Sequence, residues 1–402
     1  MNNITLSPGQ TKVFDQIMAW HKDPRARTFA LAGYAGTGKS TLARMLADAI
    51  SQHTAFAAYT GKAANVLREK GCVNAGTLHS WLYAITDHDR RIIRELEEQI
   101  AEAHKRGEMA VMDGLVKTLE QKRAAFRRPK FQLNTESELK DAPLIIVDEF
   151  SMLPKKLIED LERIGRKILY LGDPFQLPPI EGECPIKPTA FLTEIHRQAL
   201  ESPIIRASIA VREGRMLDYC DEPGFKFQPK SRIAPEEYSM AEQIIVGRNA
   251  TRTAWNDRFR MRRGYEGKHP VAGDKMICLK NSPENNLFNG LIGYAMAPAR
   301  NLSSDRYTLD FECGDDRMHG LAVWRGDVEG RGSEYDGYDD NHRMLERFDY
   351  GYAITCHKSQ GSEFDSVLVY REPFGNGEEQ RRWLYTAVTR GKNQVTLVEP
   401  KG

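Results

Sequence analysis

Residues 28–50 read TFALAGYAGTGKSTLARMLADAI and predict a strand, a glycine-rich turn and a helix in immediate succession. The turn, GYAGTGKST at 33–41, fits the pattern GxxxxGK[ST] of a phosphate-binding loop (P-loop) in the setting that this pattern requires. Glycines let backbone N–H groups close on phosphate oxygens, and the helix N-terminus adds a favourable dipole. Lys39 is expected to reach the β- and γ-phosphates, and Ser40 to bind Mg²⁺. The nucleotide is expected to contact Gly33, Ala35, Gly36, Thr37, Gly38, Lys39, Ser40 and Thr41.

Polar side chains follow two further strand-like runs. IIVDEF at 145–150 ends in two carboxylates, of which Asp148 suits Mg²⁺ and Glu149 suits polarisation of an attacking water. LGDPFQLPPI at 171–180 places Gln176 where its amide could sense the γ-phosphate. Each feature has a plainer reading, because an acidic pair is often a solvated turn and the glutamine could be incidental. Together with the P-loop they indicate a nucleotide hydrolase or kinase without identifying the work done.

The composition bounds the possible partners and compartments. The 402 residues carry 57 Lys and Arg against 56 Asp and Glu, and this near balance excludes a uniformly basic coat, so any polyanion must meet a local stripe. No apolar run approaches the roughly 18 residues of a membrane span, and the N-terminus does not read as a secretory signal. The six separated cysteines form no CxxC pair, so neither a zinc site nor a disulfide framework is indicated. We expect a cytoplasmic protein, in a bacterium or a phage-infected host, that does not bind membranes.

Strand-like runs separated by helical stretches predict an α/β fold, because this alternation builds a parallel sheet covered by helices. One series is TFALA, AFAAY, LIIV and KILYL, and a later one is QIIVG, SVLVY and QVTLV. Two α/β units are therefore expected, each interrupted by an insertion. The first insertion is dense in charge with a break at Arg106-Gly107 and predicts a helical hairpin, and the second predicts a small β unit.

Further stretches resemble, in order, the motifs of one helicase family. They are LSPGQTKVFDQI at 6–17, YTGKAANVLREKG at 59–71, TLHSWL at 77–82, LTEIHRQ at 192–198, YAITCHKSQGSEFDSVLV at 352–369 and LYTAVTRGK at 384–392. With the P-loop, IIVDEF and LGDPFQLPPI, they resemble superfamily 1B, the RecD-like and phage Dda-like DNA helicases that move 5′ to 3′. The resemblance covers nearly the whole chain, from Leu6 to about Lys392.

The resemblance implies two RecA-like P-loop domains. The first domain (1A) is expected at 1–82 and 143–190, with a largely helical insertion (1B, the strand-separating pin) at 83–142. The second (2A) is expected at 191–271 and 336–402, with a small SH3-like β insertion (2B) at 272–335. The insertion 1B looks longer and more helical than the short β hairpin of the Dda-like proteins.

Roles for single residues follow from the resemblance as expectations. Gln10 would recognise adenine and Glu363 would contact the nucleotide, while Arg197 and Arg390 would face the γ-phosphate from the second domain. Contacts to DNA are implied for Thr60, Lys62, Thr77, His79, Thr355, His357 and Lys358. Each histidine could equally be an ordinary buried or surface residue.

A candidate DNA track also follows from residue types alone. RNATRTAWNDRFRMRRG at 248–264 combines six arginines, beginning with Arg248, with the aromatic Trp255. Cations can hold phosphates without reading sequence, and aromatic rings can stack on bases. Because helical spacing would scatter these arginines around the axis, some of them must be ordinary solvated charge.

The reading that unites these features is an ATP- and Mg²⁺-dependent helicase that moves 5′ to 3′ on single-stranded DNA and unwinds duplex. We expect a monomer that binds single strands and single-strand/duplex junctions, with a single-strand-binding protein or replisome components as further partners. A translocase that displaces bound proteins would need the same residues. A nucleotide-dependent switch would not need a complete hydrolytic set, and RNA is not excluded, because phosphate contacts do not read the sugar well.

Overall fold

The computed structural model describes residues 6–72, 74–85, 87–126, 131–134, 137–179, 182–194, 200–282, 285–332 and 345–400. The helices are α1 (Pro8–Lys22), α2 (Lys39–Ile50), α3 (Gly61–Glu69), α4 (Leu78–Leu82), α5 (Asp87–Arg106), α6 (Met109–Phe126), α7 (Lys155–Glu162), α8 (Pro203–Arg212), α9 (Pro235–Met240), α10 (Asn249–Arg262), α11 (Cys356–Ser359) and α12 (Gly377–Val388). None of them is both long and apolar enough to cross a membrane.

The first sheet is parallel and carries the P-loop. Its strands are β1 (Thr28–Gly33), β2 (Ala55–Ala58), β3 (Ala75–Thr77), β6 (Ile145–Val147), β7 (Ile168–Gly172) and β8 (Ala190–Leu192), in the order β3-β2-β6-β7-β1-β8. Helices α1, α2 and α3 pack on one face of the sheet, and α4 and α7 pack on the other. The carboxyl ends of β1, β6 and β7 therefore meet at one edge, where ligands bind in such sheets.

The first insertion is a helical hairpin on a short β ladder. Helix α5 ends at Gly107, whose φ of 74° lies in the left-handed region that favours glycine, so the expected break at this position is confirmed. Strands β4 (Tyr83–Ile85) and β5 (Phe131–Leu133) pair antiparallel at the base of the hairpin. This ladder was not expected from the sequence, since three-residue strands give almost no period-2 signal.

The second sheet repeats the architecture of the first. Its strands are β9 (Cys220–Glu222), β10 (Phe225–Pro229), β11 (Gln243–Val246), β18 (Ala353–Thr355), β19 (Phe364–Tyr370) and β20 (Gly391–Glu399), in the order β18-β11-β19-β20-β10-β9. All pairs are parallel except β9 with β10. Helices α8 and α12 cover one face and α10 the other. The predicted α/β class with two parallel-sheet domains is confirmed.

A third, antiparallel sheet follows α10. Its strands are β12 (Lys275–Cys278), β13 (Ile292–Ala295), β14 (Arg300–Asn301), β15 (Arg306–Cys313), β16 (Asp316–Trp324) and β17 (Phe348–Tyr350). A buried ion pair between Arg260 of α10 and Asp274, with Nε and Oδ1 3.0 Å apart, ties this sheet to the second domain. Strand β17 lies beyond the expected end of the insertion at residue 335, and the domain limits stay predictions.

Candidate functional site

The P-loop joins β1 to α2 and holds its lysine inward. Gly36 and Gly38 both have φ of 78°, so the turn depends on residues without a Cβ. The ammonium of Lys39 donates to the backbone oxygens of Gly33 at 2.6 Å and Tyr34 at 3.0 Å. Ser40 is exposed in the first turn of α2, where the helix N-terminus favours an anion. The loop therefore gathers a cation, free helix amides and a hydroxyl at one point.

The side chain of Gln10 is hydrogen-bonded to the backbone of the P-loop. Its side-chain Nε2 donates to the backbone oxygen of Thr37 at 3.0 Å, and its Oε1 accepts from the N–H of Ser7 at 3.0 Å. The Thr37 hydroxyl in turn donates to the oxygen of Tyr34 at 2.8 Å. The amide of Gln10 thus supports the loop backbone in this structure, and its expected contact with adenine stays a prediction.

The two carboxylates at the end of β6 have different environments. Burial, followed by the negative charge of Glu149, raises the pKa of Asp148 to about 6, while the Lys39 ammonium acts against the rise. Glu149 has φ of 56°, a conformation that is uncommon and costly for a non-glycine residue and that clusters at functional sites. The partly buried carboxylate of Asp148 and the exposed hydroxyl of Ser40 are the hard oxygen ligands that Mg²⁺ prefers alongside phosphate.

The Mg²⁺ site expected at Ser40 and Asp148 fits these donors. Within the described part of the chain, no cluster of three His, Cys, Asp or Glu side chains could hold a metal alone. The cation would therefore share its coordination with phosphate oxygens, as P-loop sites do.

Arg390 of the second domain faces Glu149 of the first. Its guanidinium is buried and donates to the backbone oxygens of Thr386 at 3.1 Å and Ser362 at 3.3 Å. Its Nη1 lies 3.9 Å from Oε1 of Glu149, so the arginine reaches the seam between the two domains. The other expected arginine, Arg197, lies outside the described residues.

Helix α12 makes further contacts across this seam. The buried hydroxyl of Tyr385 accepts from the N–H of Ala35 in the P-loop at 3.1 Å and donates to the carboxylate of Asp173. Burial raises the pKa of Asp173, and the positive charge of Lys39 acts against the rise. Tyr385 and Asp173 were missed by the sequence analysis, where they stood inside motif stretches without a role.

Gln176 lies in the same seam. It is buried, and its Oε1 has no hydrogen-bond partner among the described residues. The neighbouring Leu177 N–H donates to the hydroxyl of Thr386 at 3.0 Å, and the oxygen of Leu177 accepts from Gln360 at 2.9 Å. The second domain thus holds this loop through these hydrogen bonds, and the side-chain oxygen of Gln176 can accept a further one.

The expected DNA contacts of the first domain have structural roles in this conformation. The hydroxyls of Thr60 and Thr77 cap α3 and α4, accepting from Ala63 and Ser80, each at 3.2 Å. His79 lies between the rings of Tyr59 and Tyr83, with centroids 5.6 and 5.8 Å away. Partial burial lowers the pKa of His79, which favours the neutral ring. Their expected contacts with the backbone of DNA stay predictions.

Lys62 points into the seam. Its ammonium lies 4.1 Å from the ring centroid of Phe364, and burial lowers the pKa of Lys62. The adjacent Gly61 packs so tightly on Phe288 that an added Cβ would lie 2.1 Å from the Cβ of Phe288. In this conformation the second domain and its insertion cover the segment expected to grip DNA.

The DNA contacts expected in the second domain lie at the end of β18 and in α11. Thr355 precedes α11, His357 lies 5.9 Å from the ring of Phe374, and Lys358 is exposed and donates to the side chain of Asn289 at 2.8 Å. Glu363 pairs with Lys70 at 3.7 Å, beside the end of α3, and its expected nucleotide contact stays a prediction. Lys358 is thus the most accessible cation of this stretch.

The expected stacking of Trp255 on DNA bases is wrong. The side chain is only 5% exposed and stacks on Tyr238, with centroids 4.9 Å apart, in the core beneath α10. Arg252 and Arg260 of the same stretch form ion pairs with Asp349 and Asp274. Arg248 is exposed and donates to the backbone oxygen of Pro373 at 3.2 Å. Of the two expected track residues, Arg248 is therefore the one that solvent reaches.

Family comparisons agree with the two-domain geometry. A family model described as AAA domain matches residues 5–222, more than half of the chain, and one described as UvrD-like helicase C-terminal domain matches residues 350–398. The ATP-dependent RecD2 DNA helicase of Deinococcus radiodurans is 26% identical over 426 aligned residues, which cover 97% of this chain and 48% of the relative. The chain therefore spans about half the length of that relative.

Solved structures share the fold. Pif1 helicases at forked duplex DNA match with a TM-score of 0.55 and 17% identity, covering 98% of this chain and 92% of the other. A Pif1 helicase from Bacteroides in complex with ADP-AlF3 and single-stranded DNA matches with a TM-score of 0.54, 17% identity and the same coverage. At this identity the likeness shows the arrangement of two RecA-like domains and nothing finer. The chain belongs to the AAA domain family of the matched model, and the helicase C-terminal match and the RecD2 relative agree with the resemblance to superfamily 1B helicases.

Proposed function

We propose that the chain is an ATP-dependent DNA helicase that moves 5′ to 3′ along single-stranded DNA and unwinds duplex DNA. The observation that supports the proposal is that residues of both domains meet at the P-loop and Glu149. Arg390 from one parallel-sheet domain lies 3.9 Å from Glu149 of the other, and Tyr385 bonds the P-loop itself. A site divided in this way is completed only when the two domains close on the nucleotide.

The residues have separable roles in ATP hydrolysis. Lys39 would bind the β- and γ-phosphates, and Ser40 and Asp148 would hold Mg²⁺, which when bound neutralises the phosphate oxygens. Glu149 would orient the attacking water and accept its proton. Arg390 would shift from Glu149 to the γ-phosphate, a contact that contributes roughly 10³ to 10⁵ in rate in comparable enzymes.

Closure links this chemistry to movement. A triphosphate attracts cations of both domains and favours the closed seam, and hydrolysis removes the bridging charge. The expected DNA contacts Thr60 and Lys62 lie against the second domain at Gly361 and Phe364. A change in the seam would therefore move the segments expected to grip the strand.

DNA as the track is supported by the relatives. The RecD2 relative is named a DNA helicase, and the Pif1 structures hold single-stranded or forked DNA. We extend this substrate class to the chain, with junctions as the preferred site, and the 5′ to 3′ direction rests on the motif resemblance. A single-strand-binding protein or replisome components are proposed as partners on the same ground.

Phosphate release with and without single-stranded DNA tests the chemistry. Lys39→Ala and Glu149→Gln are each expected to lower the DNA-stimulated rate by roughly 10²-fold or more. The matched control Glu159→Gln, an exposed residue of α7, should keep the wild-type rate. Near wild-type turnover in Glu149→Gln would refute the assignment of the water-activating carboxylate.

Tailed duplexes test the direction and the work done. Unwinding should occur with a 5′ single-stranded DNA tail and fail with a 3′ tail, and RNA versions of each tail test the preference for the sugar. Preference for the 3′ tail would contradict the proposed direction. DNA-stimulated hydrolysis without strand separation would instead indicate a translocase that displaces bound proteins.

A further inference from the structure

Arg212, at the end of α8 in the second domain, lies on the P-loop. The carbon Cζ of its guanidinium is 3.5 Å from the ring centroid of Tyr34, the second residue of the loop. The Tyr34 ring also makes an edge contact with the ring of Phe191, with centroids 4.9 Å apart. This arginine belongs to none of the motif stretches and crosses the seam at a point separate from Arg390, which faces Glu149.

The guanidinium of Arg212 is largely buried but lacks, in the described part of the chain, a hydrogen-bond acceptor for one of its N–H groups. The side chain is 16% exposed, and its Nη1 is buried with no hydrogen-bond partner among the residues that the structure describes. Its Nη2 lies 3.8 Å from Oε1 of Glu213, which is an ion pair but too long for a hydrogen bond. A buried N–H of a charged group that lacks an acceptor is costly, and stacking on a ring does not supply one.

The surroundings indicate what acceptor would fit. The backbone oxygen of Tyr34 holds the Lys39 ammonium at 3.0 Å, and the next N–H, that of Ala35, bonds to Tyr385 at 3.1 Å. Burial raises the pKa of Tyr385, and the charge of Arg212 is among the effects that oppose the rise. Arg212 thus stacks on the residue whose backbone oxygen holds the P-loop lysine, and a P-loop turns that lysine and its amides towards phosphate oxygens.

We propose that Arg212 is a phosphate-binding residue of the nucleotide site, donated by the second domain, which bonds the terminal phosphate of a nucleoside triphosphate. The inference rests on the proposed nucleotide hydrolysis and adds a contact to it. In this structure the guanidinium stacks on the ring of Tyr34 beside the P-loop. When the triphosphate binds, a γ-phosphate oxygen accepts the hydrogen bond for which Nη1 has no partner among the described residues. Planar guanidinium groups suit both tasks, because they stack on rings and bind phosphate through two N–H groups.

Equilibrium binding of Mg²⁺-ATPγS and Mg²⁺-ADP, measured by titration calorimetry, tests the inference without turnover. Arg212→Ala is expected to weaken ATPγS binding roughly ten- to a hundredfold, the loss of one hydrogen bond to a charged group, and ADP binding less than twofold. The matched control Arg206→Ala removes a cation from the same helix that pairs with Glu222 instead, and should change neither constant.

Arg212→Gln keeps a polar side chain with two N–H donors but is shorter and uncharged, and it serves if Arg212→Ala does not fold. It should lose most of the preference for ATPγS over ADP while melting within a few degrees of wild type. Equal effects on the two nucleotides, or none, would overturn the inference and leave Arg212 a clamp between the domains. Failure of the wild-type chain to bind either nucleotide would instead refute the proposed function on which the inference rests.

Discussion

Tyr385→Phe removes one hydroxyl from the seam and leaves the ring in place. In the wild type this hydroxyl accepts from the N–H of Ala35 and donates to Asp173, which is fully buried. The edge contact of the ring with Phe175, at 5.2 Å between centroids, does not need the oxygen. The substitution therefore leaves a partly buried N–H and a buried carboxylate oxygen each short of one partner.

The size of the effect follows from these two bonds. A bond to a charged group contributes about 1.5–3 kcal/mol and a neutral one about 0.5–1.5 kcal/mol, so the free energy of unfolding should fall by roughly 2–4 kcal/mol. At a urea dependence of about 2–3 kcal/mol per molar, this lowers the midpoint by about 1 M. Urea unfolding followed by far-UV circular dichroism measures the shift, and separate transitions of the two domains would appear as two steps.

Tyr307→Phe is the matched control. The hydroxyl of Tyr307 is also fully buried, but it has no hydrogen-bond partner among the described residues. Removing a buried polar group without a partner should leave stability unchanged or raise it. A midpoint for Tyr385→Phe no lower than that of Tyr307→Phe would refute the reasoning that the seam is held through this hydroxyl.

Three further substitutions test the core and the seam. Trp255→Ala should lower the free energy of unfolding by about 3–5 kcal/mol and, at a temperature where it stays folded, leave the affinity for single-stranded DNA unchanged in an anisotropy titration. Burial lowers the pKa of Lys275 from 10.5 to about 8, so between these values the unfolded chain holds the proton that the folded chain has released. The free energy of unfolding should therefore rise by roughly 2 kcal/mol from pH 7.5 to 9.5 relative to Lys275→Met, as measured from urea midpoints. Gly61→Ala should cost about 1–3 kcal/mol through overlap with the Cβ and ring of Phe288, and Phe288→Gly, which removes both, should remove that cost in a double-mutant cycle; additive losses would contradict the contact.

The nucleotide half of the site was readable because its signal is local. The P-loop needs glycines, a lysine and a helix start within nine residues, and the strand before it is an unbroken apolar run. Asp148 and Glu149 end a strand of the same kind, and the carboxyl ends of neighbouring parallel strands meet at one edge. Short-range pattern and the rules of parallel sheets were therefore enough to place these groups together.

The expected DNA track shows where such reasoning fails. Helix α10 carries arginines on all sides, and its sequence does not say which side meets the sheet. The structure buries Trp255 and pairs Arg260 with Asp274, because an apolar ring gains more in a core than on a surface. Lys62 is a similar case, since the ring of Phe364 that covers it lies 302 residues further along the chain.

By itself the sequence determined the two α/β domains, the P-loop and the carboxylates beside it, because each is encoded by residues close together in the chain. Only the tertiary structure decided which second-domain groups reach that loop. Tyr385 bonds Ala35 across 350 residues, and Arg212 stacks on Tyr34 although no motif marks it. The physical reason is that a contact across the seam depends on how two separately folded sheets dock, and docking is set by the whole packed surface and not by any one stretch of residues.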